Sequence, residues 1–288
     1  MKKYLNILAL VVLVTAFASC SKNMDINEPD IENGVGVDDN DDNDDGNDDG
    51  NDDGNGDGND NDGDTKEEIW LITEEKKNGQ LVFTFKYDDK HRMVEKTKYL
   101  SPELKVTEHY TYNAQGLLTL VEIKDGDQVL LTEKYTYNSD KEPISGVWEN
   151  KVLGETSQVQ YTYAGNIMKE TVIKDSEQIV YTYTFDSNRN LLKKEFGDPS
   201  LLMIVDEYNN YDDKVFRYTK NPRFWKEGSA NNARLLKRTS VTINHPTVEE
   251  QTWSYTYNEA GCPVTAEVFD LKTKLVVAKH SYKYIPVK

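Results

Sequence analysis

A short alternating pattern recurs along this chain, and it restricts the possible folds more than any other feature. The units are Phe83-Thr84-Phe85-Lys86-Tyr87-Asp88, Tyr110-Thr111-Tyr112-Asn113, Tyr135-Thr136-Tyr137-Asn138, Tyr161-Thr162-Tyr163-Ala164, Tyr181-Thr182-Tyr183-Thr184-Phe185-Asp186, Tyr255-Thr256-Tyr257-Asn258 and Tyr282-Lys283-Tyr284. Where the units are consecutive they stand about 22 to 27 residues apart, a period expected of one supersecondary element used repeatedly. The long gap after Phe185 contains Tyr211-Asp212-Asp213-Lys214, an echo of Tyr87-Asp88-Asp89-Lys90.

Each unit reads as a β-hairpin. Val106, Glu108, Tyr110 and Tyr112 share one face, while Thr107, His109 and Thr111 share the other. Leu131, Glu133, Tyr135 and Tyr137 alternate in the same way with Thr132, Lys134 and Thr136. A period of two with aromatic and β-branched enrichment marks a strand with one buried face. Turn signals such as Asn113-Ala114-Gln115-Gly116 and Lys124-Asp125-Gly126-Asp127 close the two ends of a hairpin. The expected fold is therefore all-β, an antiparallel meander of about 14 to 16 strands. A twisted sheet of that size curls, which predicts a barrel or half-barrel.

Alternation stops between Lys214 and Asn232. Pro222, Phe224, Trp225, Gly228 and two adjacent asparagines predict an irregular excursion at 214–232 with one helical turn. Long irregular segments in regular folds are commonly functional, and a plug over an open barrel end is the other reading.

These residues carry two resemblances. Tyr110 to Leu117 is loosely similar to the tyrosine-aspartate (YD/RHS-type) repeats of bacterial surface proteins. The whole arrangement, with Tyr211-Asp212-Asp213-Lys214 and Asn221-Pro222 interrupting the hairpins, more closely resembles a family of uncharacterised Bacteroides-type lipoproteins. That resemblance covers most of 65–288. It implies a porin-like antiparallel fold and brings no activity and no catalytic residues.

The N-terminus supplies the remaining organisation. Lys2 and Lys3, the apolar run from Leu5 to Phe17, and small residues before Cys20 follow the order of a signal peptide over 1–19. The run is short of the roughly 20 residues that cross a bilayer. Its end resembles a bacterial lipobox, which makes Cys20 the expected lipidation site and leaves Cys262 without a disulfide partner. Residues 20–64 read as a lipidated, disordered tether. From Asp38 to Asp64 it contains only Asp, Asn and Gly, with fourteen aspartates. Without apolar side chains such a segment cannot offset its ordering entropy. The tract also fits the front half of a calcium loop, at Asp41 to Gly46, but no Glu follows at the bidentate position. The spacer reading is therefore preferred and no metal site is assigned. The net charge of −17 belongs mostly to this tether, and the β domain from Thr65 to Lys288 is nearly neutral.

The function classes narrow accordingly. A near-neutral domain without a basic patch speaks against nucleic acid. His91, His109, His245 and His280 are dispersed, and neither a zinc motif nor a nucleophile elbow is present. A hydrolase needs only two placed carboxylates, so that class survives as the least favoured. No catalytic residue and no cofactor is expected. Glu108 and Glu133 share the tyrosine face, and Thr, Lys and His occupy the other, so neither face suits lipid. The expectation is a monomeric, non-enzymatic outer-membrane lipoprotein, held by its lipid and facing the cell surface, with the periplasmic face as the alternative. It would bind a glycan or protein ligand, with Trp148, Trp225, Trp253 and Phe224 as candidate contacts. The competing reading is a structural envelope component without a soluble ligand.

Overall fold

The computed structural model describes residues 69–198, 202–218, 220–242 and 246–287. The signal peptide, Cys20, the acidic tether and the expected domain start at Thr65 lie outside the described residues. The strands are β1 (Ile69–Lys77), β2 (Gln80–Tyr87), β3 (Met93–Tyr99), β4 (Lys105–Tyr112), β5 (Leu118–Asp125), β6 (Gln128–Tyr137), β7 (Pro143–Asn150) and β8 (Glu155–Ala164). The second half continues with β9 (Ile167–Lys174), β10 (Glu177–Phe185), β11 (Leu191–Asp198), β12 (Leu202–Tyr211), β13 (Ala233–Thr242), β14 (Pro246–Tyr257), β15 (Pro263–Asp270) and β16 (Leu275–Val287). Every strand pairs antiparallel with its neighbour in sequence, and β1 pairs with β16 from Ile69↔Val287 to Lys77↔His280. The sheet is a closed barrel, which removes both edges.

Alternation decides which chemistry faces inward. On β4, Val106, Glu108 and Tyr110 are buried while Thr111 is exposed. On β8, Ser157, Val159 and Tyr161 are buried while Thr156, Gln158 and Gln160 are exposed. The tyrosine face thus lines the interior, together with Val121, Ile123, Leu131, Met168, Phe185 and Val268. The outer wall carries cross-strand ion pairs such as Lys86–Glu95, Lys279–Glu267 and Lys283–Glu74, each at 2.8 Å. Exposed pairs of this kind add little stability.

The Asn or Asp after each aromatic unit builds the turn. Asn113 Oδ1 accepts the Gln115 and Leu117 N–H groups, both at 3.0 Å, and Asp186 Oδ1 accepts those of Asn188 and Asn190, both at 2.8 Å. Asp88 does the same with Lys90 and Arg92. Three residues after the Asx the backbone turns left-handed, at Gly116 (φ 80°) and Gly261 (φ 73°) but also at His91, Lys141 and Arg189. The adjacent tyrosine reaches back one strand. The hydroxyls of Tyr87, Tyr112, Tyr137 and Tyr163 donate to the carbonyls of Ile72, Met93, Leu118 and Pro143 at 2.9, 2.6, 2.6 and 3.0 Å. The repeat is therefore a rim device of turn acceptor plus carbonyl-capping phenol.

The excursion runs over 212–232, between β12 and β13, and folds back into the barrel. It includes one helical turn, α1 (Phe224–Glu227). Asn221 opens it, accepting the Arg223 N–H on its side chain at 2.9 Å and the Phe224 N–H on its carbonyl at 3.1 Å. Gly228 ends it because the Phe224 ring lies against its Cα, where a Cβ would come within 2.1 Å of the ring.

Candidate functional site

Four glutamates project into the interior, Glu75 from β1, Glu108 from β4, Glu133 from β6 and Glu170 from β9, and each is only 1% exposed. A buried carboxylate persists only if paired and hydrogen-bonded. Tyrosine hydroxyls supply one bond to each of Glu75, Glu108 and Glu133 and two to Glu170. Tyr110 donates to Glu108 at 3.0 Å, Tyr135 to Glu133, Tyr161 and Tyr183 to Glu170 at 2.9 and 3.1 Å, and Tyr218 to Glu75.

The countercharges come mainly from the excursion, which is a plug. Arg223 lies between two walls, with Nη2 at 2.8 Å from Glu108 Oε2 and Nε at 3.1 Å from Glu133 Oε2. Lys226 Nζ reaches Glu170 Oε1 at 2.7 Å. Arg217 sits among the rings of Phe216, Tyr218, Trp253 and Tyr282, at 5.4, 4.7, 5.5 and 5.7 Å. It acts electrostatically on Glu75, whose Oε1 also meets His280 Nδ1 at 2.9 Å. The wall contributes Lys96, 3.6 Å from Glu108 Oε1.

Burial opposes the ionisation of Glu75, but His280, Arg217 and Tyr218 outweigh it and hold the carboxyl below its usual range. Burial of Glu108 is likewise outweighed, chiefly by Arg223 and Lys96. Glu227 on α1 is held at about 2 because Arg223 and Lys226 overcome its burial. Burial pushes the Tyr110, Tyr135, Tyr161 and Tyr183 phenols up, and the adjacent glutamates add to the effect, so these tyrosines remain donors.

The plug is pinned at its neck. Asp212 accepts the Asn232 N–H at 3.0 Å and, on its other oxygen, the Tyr257 hydroxyl, while Asn232 Nδ2 donates to the Val215 carbonyl at 3.0 Å. Asn231 N–H donates to Asn190 Oδ1 at 2.9 Å, and Ser229 Oγ accepts the Leu191 N–H at 3.1 Å.

Of the four aromatic residues singled out in the sequence, the three tryptophans belong to the barrel core and Phe224 to the plug. Trp225, half-buried, packs edge-on against Tyr135 and Tyr137 at 5.4 and 6.3 Å. Trp148 is 3% exposed, and Lys226 Nζ lies 5.3 Å from its ring centre. Trp253 stacks on Tyr255 and meets His280 in the neighbourhood of Arg217. Phe224 lies against Gly228. Cys262 is buried and its thiol is pushed up by burial. The interior glutamates were missed as partners of the plug, although Glu108-x-Tyr110 and Glu133-x-Tyr135 repeat the same placement and the excursion is rich in cations. No group of three or more metal-ligating side chains occurs among the described residues.

A family model described as "Uncharacterised protein" matches residues 66–153. No curated protein matches the chain. Among solved structures, a porin-like protein from Bacteroides vulgatus ATCC 8482 is similar at 12% identity and a TM-score of 0.41, over 76% of this chain and 100% of that one. A porin-like protein from Bacteroides uniformis ATCC 8492 is similar at 13% identity and a TM-score of 0.46, over 76% of this chain and 96% of that one.

Proposed function

We propose that this chain is a non-enzymatic, lipid-anchored binding module, displayed on the cell surface by its tether and taking a protein or glycan ligand. The observation that carries the reading is the wall chemistry. Thr, Gln, Lys and Glu face outward with ion pairs between strands, so lipid contact around the barrel would be costly and the barrel belongs in water. A lipid on Cys20 and an acidic stalk of roughly 150 Å at full stretch would then hold it away from the membrane. Enzymatic chemistry gains no support from the buried carboxylates. Arg223 is bonded to both Glu108 and Glu133, so a cation of the chain itself fills the gap where a hydrolase's carboxylate pair would hold its substrate.

A second reading, a structural envelope component, draws on the plug's bonded interior. Three measurements test the reading and separate the two. Protease shaving of intact cells should remove the barrel, and Cys20→Ala should release it from membranes. Display of the full-length protein against glycan and protein arrays should then yield a saturable ligand. A barrel protected from shaving, or one that binds nothing while co-purifying with an envelope protein, overturns the binding reading.

A further inference from the structure

We infer that the barrel interior is a receptor site for a cationic, aromatic-bearing peptide segment, and that residues 212–232 are its built-in occupant. This rests on the binding-module reading above and gives it a partner class.

The interior presents three sockets, each made of wall carboxylate and wall aromatic face. The rings of Trp253 and Tyr282 receive Arg217, and Glu75, bonded to His280 and Tyr218, acts on it through its charge. Glu108 and Glu133 with Tyr110 receive Arg223, whose guanidinium carbon lies 5.9 Å from the Tyr110 ring centre. Glu170 with Trp148 receives Lys226. Carboxylate plus aromatic face is the chemistry that selects guanidinium and ammonium groups. Merely filling a barrel would not call for it, since apolar side chains of similar volume stabilise as well or better than buried ion pairs. What such pairs do supply is selection of one occupant in one register.

Two further features suit exchange. Trp148 Nε1 and His280 Nε2 have no hydrogen-bond partner among the described residues, and both side chains are 3% exposed. With Nδ1 engaged by Glu75, His280 keeps Nε2 for a second hydrogen bond, and Trp148 Nε1 offers a donor. A peptide backbone can satisfy both, so another segment can make bonds the plug leaves unmade. The plug also enters and leaves at one rim. Tyr211↔Ala233 still pair beneath the Asp212–Asn232 clasp, so withdrawal breaks the clasp and the sockets but no strand pairing.

The test uses the full-length chain and a fluorescent synthetic peptide of residues 214–230. Asn232→Ala keeps the backbone bond to Asp212 but removes the side-chain bonds to the Val215 carbonyl and the Asp212 carboxylate. This loosens the clasp and raises the open population, and apparent affinity scales with that population. The peptide should bind this variant at least ~10-fold tighter than the wild type. Gln at Arg217, Arg223 and Lys226 of the peptide, the three cations that enter the sockets, should cost ~10-fold or more. Hydrogen exchange in the chain's own 214–230 should rise when the peptide is bound. If Asn232→Ala does not fold, Asn231→Ala loosens the same neck at a less buried position. Absence of binding to a folded, plug-loosened variant, or equal binding of the Gln peptide, overturns the inference. Either outcome leaves the display reading standing if shaving and array binding succeed, so the two failures are distinguishable.

Discussion

The smallest repeated decision in this protein is a phenol beside a turn. Tyr137 packs its ring on the core cluster and donates to the Leu118 carbonyl at 2.6 Å. Tyr137→Phe keeps the ring and removes the bond, so urea unfolding should show a loss of about 1 kcal/mol. An unchanged midpoint would mean that water replaces the phenol. The left-handed turn position gives a second residue-scale prediction. A Cβ on Gly116 would meet nothing closer than Arg92 Nη1 at 3.9 Å, so Gly116→Ala isolates the backbone term at φ 80°. It should cost about 1 to 2 kcal/mol, while Lys141→Gly, at φ 64°, should stabilise by up to about 1 kcal/mol. Midpoint shifts of opposite sign, the loss at least as large as the gain, are the expected pattern. The left-handed position can be filled by His91, Lys141 or Arg189, which is why a glycine-based repeat pattern fits only some units.

At the scale of the element, the plug is where burial and charge collide. Arg223→Met leaves Glu108 and Glu133 without their shared cation and should destabilise by about 3 to 5 kcal/mol. Adding Glu108→Gln and Glu133→Gln should recover part of that loss, because the uncompensated charges go with the mutations. A triple variant as unstable as the single one would show that Arg223 acts by packing alone. The same network sets the acid limit. Glu75, Glu108 and Glu227 have folded-state pKa values below their ordinary 4.5, Glu227 at about 2. A depressed carboxyl contributes stability that is complete above its unfolded pKa and is lost as pH falls through the folded one. Stability should therefore decline from about pH 4.5 towards 2, with plug exchange rising over that range. A flat profile there would contradict the pairing. The excursion itself was legible in the sequence, since Pro222 and the two asparagines break a period-two pattern that is otherwise sustained. Its partners were not. Glu170 meets Lys226 across 56 residues and Glu75 meets Tyr218 across 143, distances over which no local period carries information. Glu108 and Glu133 could be read from the sequence as unsuited to lipid, but the cation that occupies them is visible only once the barrel closes. The same limit applies to Trp148 and Trp253, whose residue types suggested contacts and whose inward direction depended on closure.

For the whole molecule, closure is the constraint that organises everything else. The meander was readable because each hairpin is local, and the open question between barrel and half-barrel turned on one pairing between the two ends of the domain. That pairing, Ile69↔Val287 through Lys77↔His280, joins residues more than 200 positions apart, and its loop-closure entropy precedes any gain from the interior. It also completes the first socket, because β16 supplies His280 and Tyr282 opposite Glu75. Folding should therefore be slow and end in one late step that buries the plug. Refolding of the full-length chain, followed by tryptophan fluorescence, should be complete on a timescale of about a second or longer. Trp148, Trp225 and Trp253 report from the interior. A chain ending at Lys274 retains the first fifteen strands and loses the closing one. It should expose two unpaired edges on β1 and β15 and leave Glu75 without His280, so it should elute as aggregate and lack the near-ultraviolet dichroism of packed aromatics. If the truncated chain instead stayed monomeric with native-like aromatic signals, the sheet would hold its curvature without closure, and the plug rather than β16 would be the keystone of the fold.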